Sequence, residues 1–179
     1  MREQNGFTLL ETLIAFIVLV FGLLGAVALQ AKAKQATYDS MQRSAALGVA
    51  HDVIGRIKAN TLAAMAGAYN VTVSSDDPVA ANYASCINAN CGSGALAAFD
   101  IEQWRRAIRA QENTGALADA TVCVDTRVNG EQLDIDVIVS WASRQELAST
   151  GDIVQSKDEC GGQSNRRRAL ALESFAYVR

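Results

Sequence analysis

Glu11 is an acid in apolar company. Leu9 and Leu10 precede it, and after Thr12 an uninterrupted apolar run extends from Leu13 to Leu29. A carboxylate at the centre of a membrane helix costs about 2.5–3.5 kcal/mol on insertion scales, and less near the helix end. Such a group calls for a cation. A chain cut after Gly6 would supply one, because the α-amine of Phe7 is positively charged near neutral pH. Phe7 and Glu11 are spaced i,i+4 and share one helix face. A carboxylate in the first helical turn also suits the helix dipole. Between packed helices, a desolvated pair of this kind sets register more than it stabilises. The plainer alternative is that Glu11 snorkels to the membrane interface.

Cysteine is the second source of chemistry. Cys86, Cys91, Cys123 and Cys160 all lie beyond the apolar run. An even number in that position points to disulfides in an oxidising compartment. Buried cytosolic thiols are the alternative. Zinc is a third reading, since Cys86-Ile-Asn-Ala-Asn-Cys91 has ligand-like spacing. No second close pair and no nearby histidine completes that site.

Catalytic motifs are not evident. His51 is the only histidine, placed mid-helix, and nothing marks nucleophile partners for it. There is no phosphate-cradling glycine motif and no calcium-loop motif, and Asp76-Asp77 and Asp134/Asp136 are too ordinary to mark a metal. No metal, cofactor or small-molecule substrate is expected. A formal net charge of −3 argues against nucleic-acid binding as the main task. Arg166-Arg167-Arg168 reads as a solvated loop end before a strand, with contact to DNA or an acidic partner as the alternative.

These groups must be positioned by a few elements. With Phe7 to Leu10 included, the apolar run reaches the ~20 residues that cross a bilayer core. A secretory signal has a shorter apolar stretch with its cleavage site behind it. Here a short polar leader ends in Gly6, so the run is expected to stay in the mature protein. Lys32 and Lys34 outnumber Arg2 across the run, a small charge bias that opposes export of the C-terminal part. Good helix formers continue from Gln30 to about Ala64. Val49, Val53, Ile54 and Ile57 form an apolar stripe on them. One helix from about Phe7 to Ala64 is predicted, with a bend or loosening near Gly22 and Gly25.

Residues 67–95, with Gly67, Pro78, Gly92 and Gly94, read as loop. A Cys86–Cys91 bridge would close a short turn within it. Asp100 reads as the N-cap of a short helix from Ile101 to Gln111. Ile101, Trp104 and Ile108 share one face of that helix, and Arg105, Arg106 and Arg109 read as its solvated side. Ala120–Val128 and Leu133–Trp141 alternate like strands about Asn129-Gly130, a hairpin signal. Residues 142–168 read as a polar loop, and Ala169–Val178 as a last strand. Cys123 in a strand and Cys160 in the polar loop form the second candidate bridge, although four cysteines allow three connectivities. The fold class is α+β, a long N-terminal helix packed on antiparallel strands. The expected division is 1–6 leader, 7–30 membrane half of the helix, 31–66 its second half and 67–179 a globular head.

Gly6-Phe7-Thr8-Leu9-Leu10-Glu11 with the apolar run behind it resembles the class III signal of type IV prepilins and pseudopilins. The resemblance implies a type IV pilin-like fold. It also implies a prepilin peptidase that cuts after Gly6 and N-methylates Phe7, with Glu11 as the assembly glutamate. In a filament Glu11 of one subunit would meet the Phe7 amine of a neighbour. The wider pattern is similar to the PilV minor pilins. It is carried by Gly22-Leu23-Leu24-Gly25, Leu29-Gln30, Arg43-Ser44, Asp52, Arg56-Ile57-Lys58-Ala59-Asn60, and Val139-Ser140-Trp141 with Arg144. That likeness implies a non-enzymatic subunit in a priming or tip complex with other minor pilins and the major pilin. It implies a place in the inner membrane, head in the periplasm, before assembly, and at the cell surface afterwards. Roles in pilus assembly, twitching motility and adhesion would follow.

Three rivals make distinct predictions. A minor pseudopilin of type II secretion would share the signal and helix, and its deletion would stop secretion while pilus number stays normal. A membrane-anchored periplasmic enzyme or binding protein would hold a pocket of convergent polar groups and need no cleavage at Gly6. A DNA-uptake pseudopilin would bind DNA in a salt-dependent way.

Overall fold

The computed structural model of the protein describes residues 6–81, 85–146, 160–162 and 164–178. Helix α1 runs unbroken from Leu9 to Ala59, through Gly22 and Gly25. Thr8 caps it: its Oγ1 accepts the Glu11 N–H at 3.3 Å, and its carbonyl accepts the Thr12 N–H. The chain divides into two compact units, Met1–Ser40 and Met41–Arg179. The second unit therefore begins inside α1.

In the first unit, α1 has no side to bury. Its large apolar side chains are exposed all round, Phe16 and Phe21 among them. By length and composition this is a helix that can cross a membrane.

In the second unit, α1 turns amphipathic. Gln42, Ala46, Ala50, Val53, Ile54 and Ile57 fall at helical spacing and are buried. The small Ala46 and Ala50 precede the larger Val53, Ile54 and Ile57, and all five belong to the core. The predicted helix to Ala64 is interrupted. Asn60 leaves helical geometry at φ −131°, and a short helix, α2, resumes over Thr61–Met65. The cause is tertiary: the Asn60 side-chain amide donates to Tyr69 Oη at 3.0 Å and to the Ser93 carbonyl at 2.8 Å.

Strand β1, Val71–Ser74, lies in the stretch expected to be loop. Asn70 lengthens it: its side chain accepts the Thr126 N–H at 2.8 Å and donates to the Thr126 carbonyl, standing in for one more backbone pair. Helix α3 spans Ser93–Asn113, eight residues earlier than Asp100 would have started it. Strands β2 (Ala118–Asn129), β3 (Gln132–Ala142) and β4 (Arg167–Tyr177) complete one antiparallel sheet in the order β1-β2-β3-β4. Gly130-Glu131 makes the β2–β3 turn, one residue on from the Asn129-Gly130 signal, with Gly130 at φ +63° as the turn needs.

Alternation gives the sheet two faces. Val122, Val124, Leu133, Ile135, Val137 and Val139 are buried inward, against α1 and against Trp104 and Ile108 of α3. Fully burying one such side chain contributes about 1.5–3 kcal/mol. On the outer face Cys123 is bonded to Cys160, and Cys86 is bonded to Cys91 just before α3. Cys160 is fully buried, with its Sγ 3.6 Å from the Ile138 carbonyl. Gly161 follows at φ +89°, where a Cβ would come within 2.5 Å of Ser140 Oγ. Only glycine lets the chain lie this close to the sheet.

Candidate assembly site

The N-terminal turn is fully presented. A Cβ built on Gly6 meets nothing within 4 Å, so the Gly6–Phe7 bond is open to approach. Phe7 is 83% exposed. Glu11 projects from the first turn, where its backbone N–H is held by Thr8. Thr8 is a positioning residue that residue types alone did not single out. Its signal was present: Thr8-Leu9-Leu10-Glu11 is a capping-box pattern, Ser/Thr followed three residues later by Glu. The cap starts the helix two residues after Phe7 and so fixes where the Phe7 amine and the Glu11 carboxylate emerge. His51 is exposed on α1. Among the described residues, no three His, Cys, Asp or Glu side chains form a set that could hold a metal ion.

In the second unit, the stretch Arg56 to Asn60 has a structural task. Arg56 Nη1 donates to Asp100 Oδ1 at 3.0 Å, and its Nε donates to Asp52 at 2.9 Å. Tyr69 Oη donates to Asp100 Oδ2 at 2.7 Å. The end of α1, the segment after α2 and the middle of α3 are thereby tied to one buried carboxylate. Asp100 is therefore not a helix cap. A cap faces the first turn of its helix, whereas Asp100 sits within α3 and turns inward to two donors.

Burial of the Arg56 guanidinium would lower its pKa, but its hydrogen bonds to Asp100 and Asp52 outweigh that and leave it raised. Burial, then the bond to Asp100, raises the Tyr69 phenol far above its ordinary value. A raised tyrosine stabilises the fold fully below its unfolded pKa of about 10 and progressively less as pH climbs toward its folded value. Stability is thus expected to fall above about pH 10 in step with this group. Alkaline denaturation of wild type against Tyr69→Phe checks it: the variant should be less stable at neutral pH and show a shallower alkaline decline.

Asp100→Asn should keep an acceptor for Tyr69 but lose the charge facing Arg56. Arg56 is over a third exposed, which discounts the pair for solvent screening. A loss of about 2 kcal/mol is expected, read by urea denaturation.

The α3 arginines are not a solvated face. Arg105 and Arg106 both pair with Glu102, which is 3% exposed. Arg106 also donates to the Ala80 carbonyl, and Arg109 to the carbonyls of Ser75 and Asp77. Together they hold the segment after β1, whose carbonyls no strand satisfies. Arg167 is likewise buried rather than solvated. It donates to the carbonyl and carboxylate of Asp119, where β2 is irregular and φ is +48°.

Comparison with known families bears on the two parts separately. The prokaryotic N-terminal methylation motif matches residues 1–27, and the family described as type IV pilin Tt1218 matches residues 28–102. The fold is type IV pilin-like, and each match covers less than half of the chain. No curated protein and no solved structure matches the chain. Pilins are structural subunits, and the long helix packed on a four-stranded antiparallel sheet is the pilin-like arrangement. The class III signal motif and the apolar helix fit membrane anchoring before assembly in a pilus.

Proposed function

We propose that the chain is a minor pilin of the PilV type. A prepilin peptidase cuts it after Gly6 and methylates Phe7, and the subunit enters a priming or tip complex with other minor pilins and the major pilin. Its work is assembly, supporting twitching motility and adhesion, and it catalyses nothing. Residues 1–6 are the leader, 7–30 the membrane and assembly half of the helix, and the head is periplasmic until assembly. Glu11 is the assembly residue, opposite the Phe7 amine of a neighbour.

The observation that carries this reading is the stretch from Phe7 to Leu29. It is apolar all round except for Thr8, Glu11 and Thr12, wholly exposed, and preceded by an accessible glycine. A helix of that kind has no place in water. Intact mass and N-terminal sequence, from membranes and from purified pili, test it. A chain starting at methylated Phe7, with a mass deficit of two disulfides, is expected. A chain still starting at Met1, with free thiols, overturns the reading.

A further inference from the structure

Strand β4 is an edge of the sheet, with β3 on one side and no strand on the other among the described residues. Its hydrogen-bonding direction is fixed by both ends. The Val178 N–H donates to the Glu131 carbonyl, and the Ser143 N–H to the Arg166 carbonyl. In an antiparallel ladder hydrogen-bonded and non-bonded pairs alternate. With the register Gln132↔Tyr177 to Ala142↔Arg167, the N–H and C=O of Ala169, Ala171, Glu173, Phe175 and Tyr177 point away from β3. Edges of this length are usually blunted by lysine, proline or a bulge. β4 has no lysine, proline or bulge, and its charged residues stand only at its start, Arg167 and Arg168, and at Glu173. Its core-facing Leu170, Leu172 and Ala176 remain only partly buried, so the core is open on this side.

The outer face next to this edge carries a charge that the sheet does not answer. Asp125 lies directly opposite Asp136, and Asp136 directly opposite Glu173. Like charges across strands are unfavourable. Arg127 compensates the first two, pairing with Asp125 at 2.9 Å and also with Asp136. Glu173 has no ion-pair partner among the described residues.

We propose that the free edge of β4 takes up an extended strand of another pilin subunit, with a lysine or arginine of that strand set opposite Glu173. This rests on the pilin reading above. Main-chain bonds to the outward-facing groups supply the attachment, and alternate apolar side chains cover Leu170 and Leu172. A second copy of this chain does not fit through its own β4. Only odd-numbered residues of β4 share the outer face with Glu173. The one cation among them, Arg167, is already held by Asp119.

The test uses the full-length chain in its host, with benzoylphenylalanine replacing the exposed Phe175. Illumination should crosslink it to an extended pilin segment carrying a basic residue, mapped by mass spectrometry. Ala171→Pro removes one outward N–H without touching the β3 ladder and should cut the yield at least tenfold. Glu173→Lys should do the same, and a carboxylate placed at the mapped basic residue should restore it. A crosslink to a second copy, to residues 147–159 of the same chain, or to nothing overturns the proposal, as does full yield in both variants. Recovery of the unmodified chain in sheared pili is scored in parallel. Present in pili without the crosslink, the pilin reading stands and strand docking fails. Absent from pili, both fall.

Discussion

Glu11→Ala should abolish incorporation into pili while leaving cleavage after Gly6 and membrane insertion intact. Insertion should if anything improve, because removing a carboxylate lowers the transfer cost of the helix. Cleavage needs only the open Gly6–Phe7 bond. The helix start also survives, because Thr8 holds the backbone N–H of residue 11 and not its side chain. On the assembly role proposed for Glu11, what is lost is the countercharge to a neighbour's Phe7 amine. Removing one partner of a desolvated pair costs about 3–5 kcal/mol, since the other is left uncompensated. That is more than a hundredfold in the incorporation equilibrium. Quantitative immunoblots of sheared pili against membranes read it directly. Glu11→Gln should fail almost as badly, because it keeps shape without charge. Wild-type levels of either variant in pili would remove the assigned role of Glu11.

Loss of the Cys123–Cys160 bridge should be the largest single blow to the head. The bridge spans 37 positions, from β2 across the β2–β3 hairpin to a residue just before β4. Chain-entropy reasoning puts its contribution at roughly 4 kcal/mol, against roughly 2 kcal/mol for Cys86–Cys91, which spans only 5. Geometry widens the gap. Cys160 is fully buried and carries Gly161 onto the sheet beside Thr121 and Ser140, whereas Cys86 and Cys91 are only half-buried. Replacing Cys123 and Cys160 by serine should therefore lower the urea midpoint about twice as far as replacing Cys86 and Cys91. Equal losses from the two double variants would mean that loop closure does not decide head stability.

The sequence by itself was enough for whatever repeats locally. The apolar run with Gly6 before it, the stripe at Val53 and Ile57, the Trp104–Ile108 face and the Asn129-Gly130 hairpin are patterns within a few residues. Helix and strand periods display them directly. The α+β class and the antiparallel strands came from them. Strand β1 did not show, because four residues leave too little alternation and Asn70 finishes the pairing with its side chain.

Tertiary structure alone decided what the charged groups do. Arg56 and Asp100 are 44 positions apart, and no local pattern links them. Asp100 looks like a cap because aspartate is a good one, yet a guanidinium and a buried phenol hold it within a helix that starts at Ser93. Arg105, Arg106 and Arg109 look solvated because they lie off the apolar stripe, but Arg105 and Arg106 share the buried Glu102, and the carbonyls after β1 come to Arg106 and Arg109. Sequence period shows which side of an element avoids water. It does not show which polar groups a second element will bring to the other side, because that depends on contacts closed only when the chain folds.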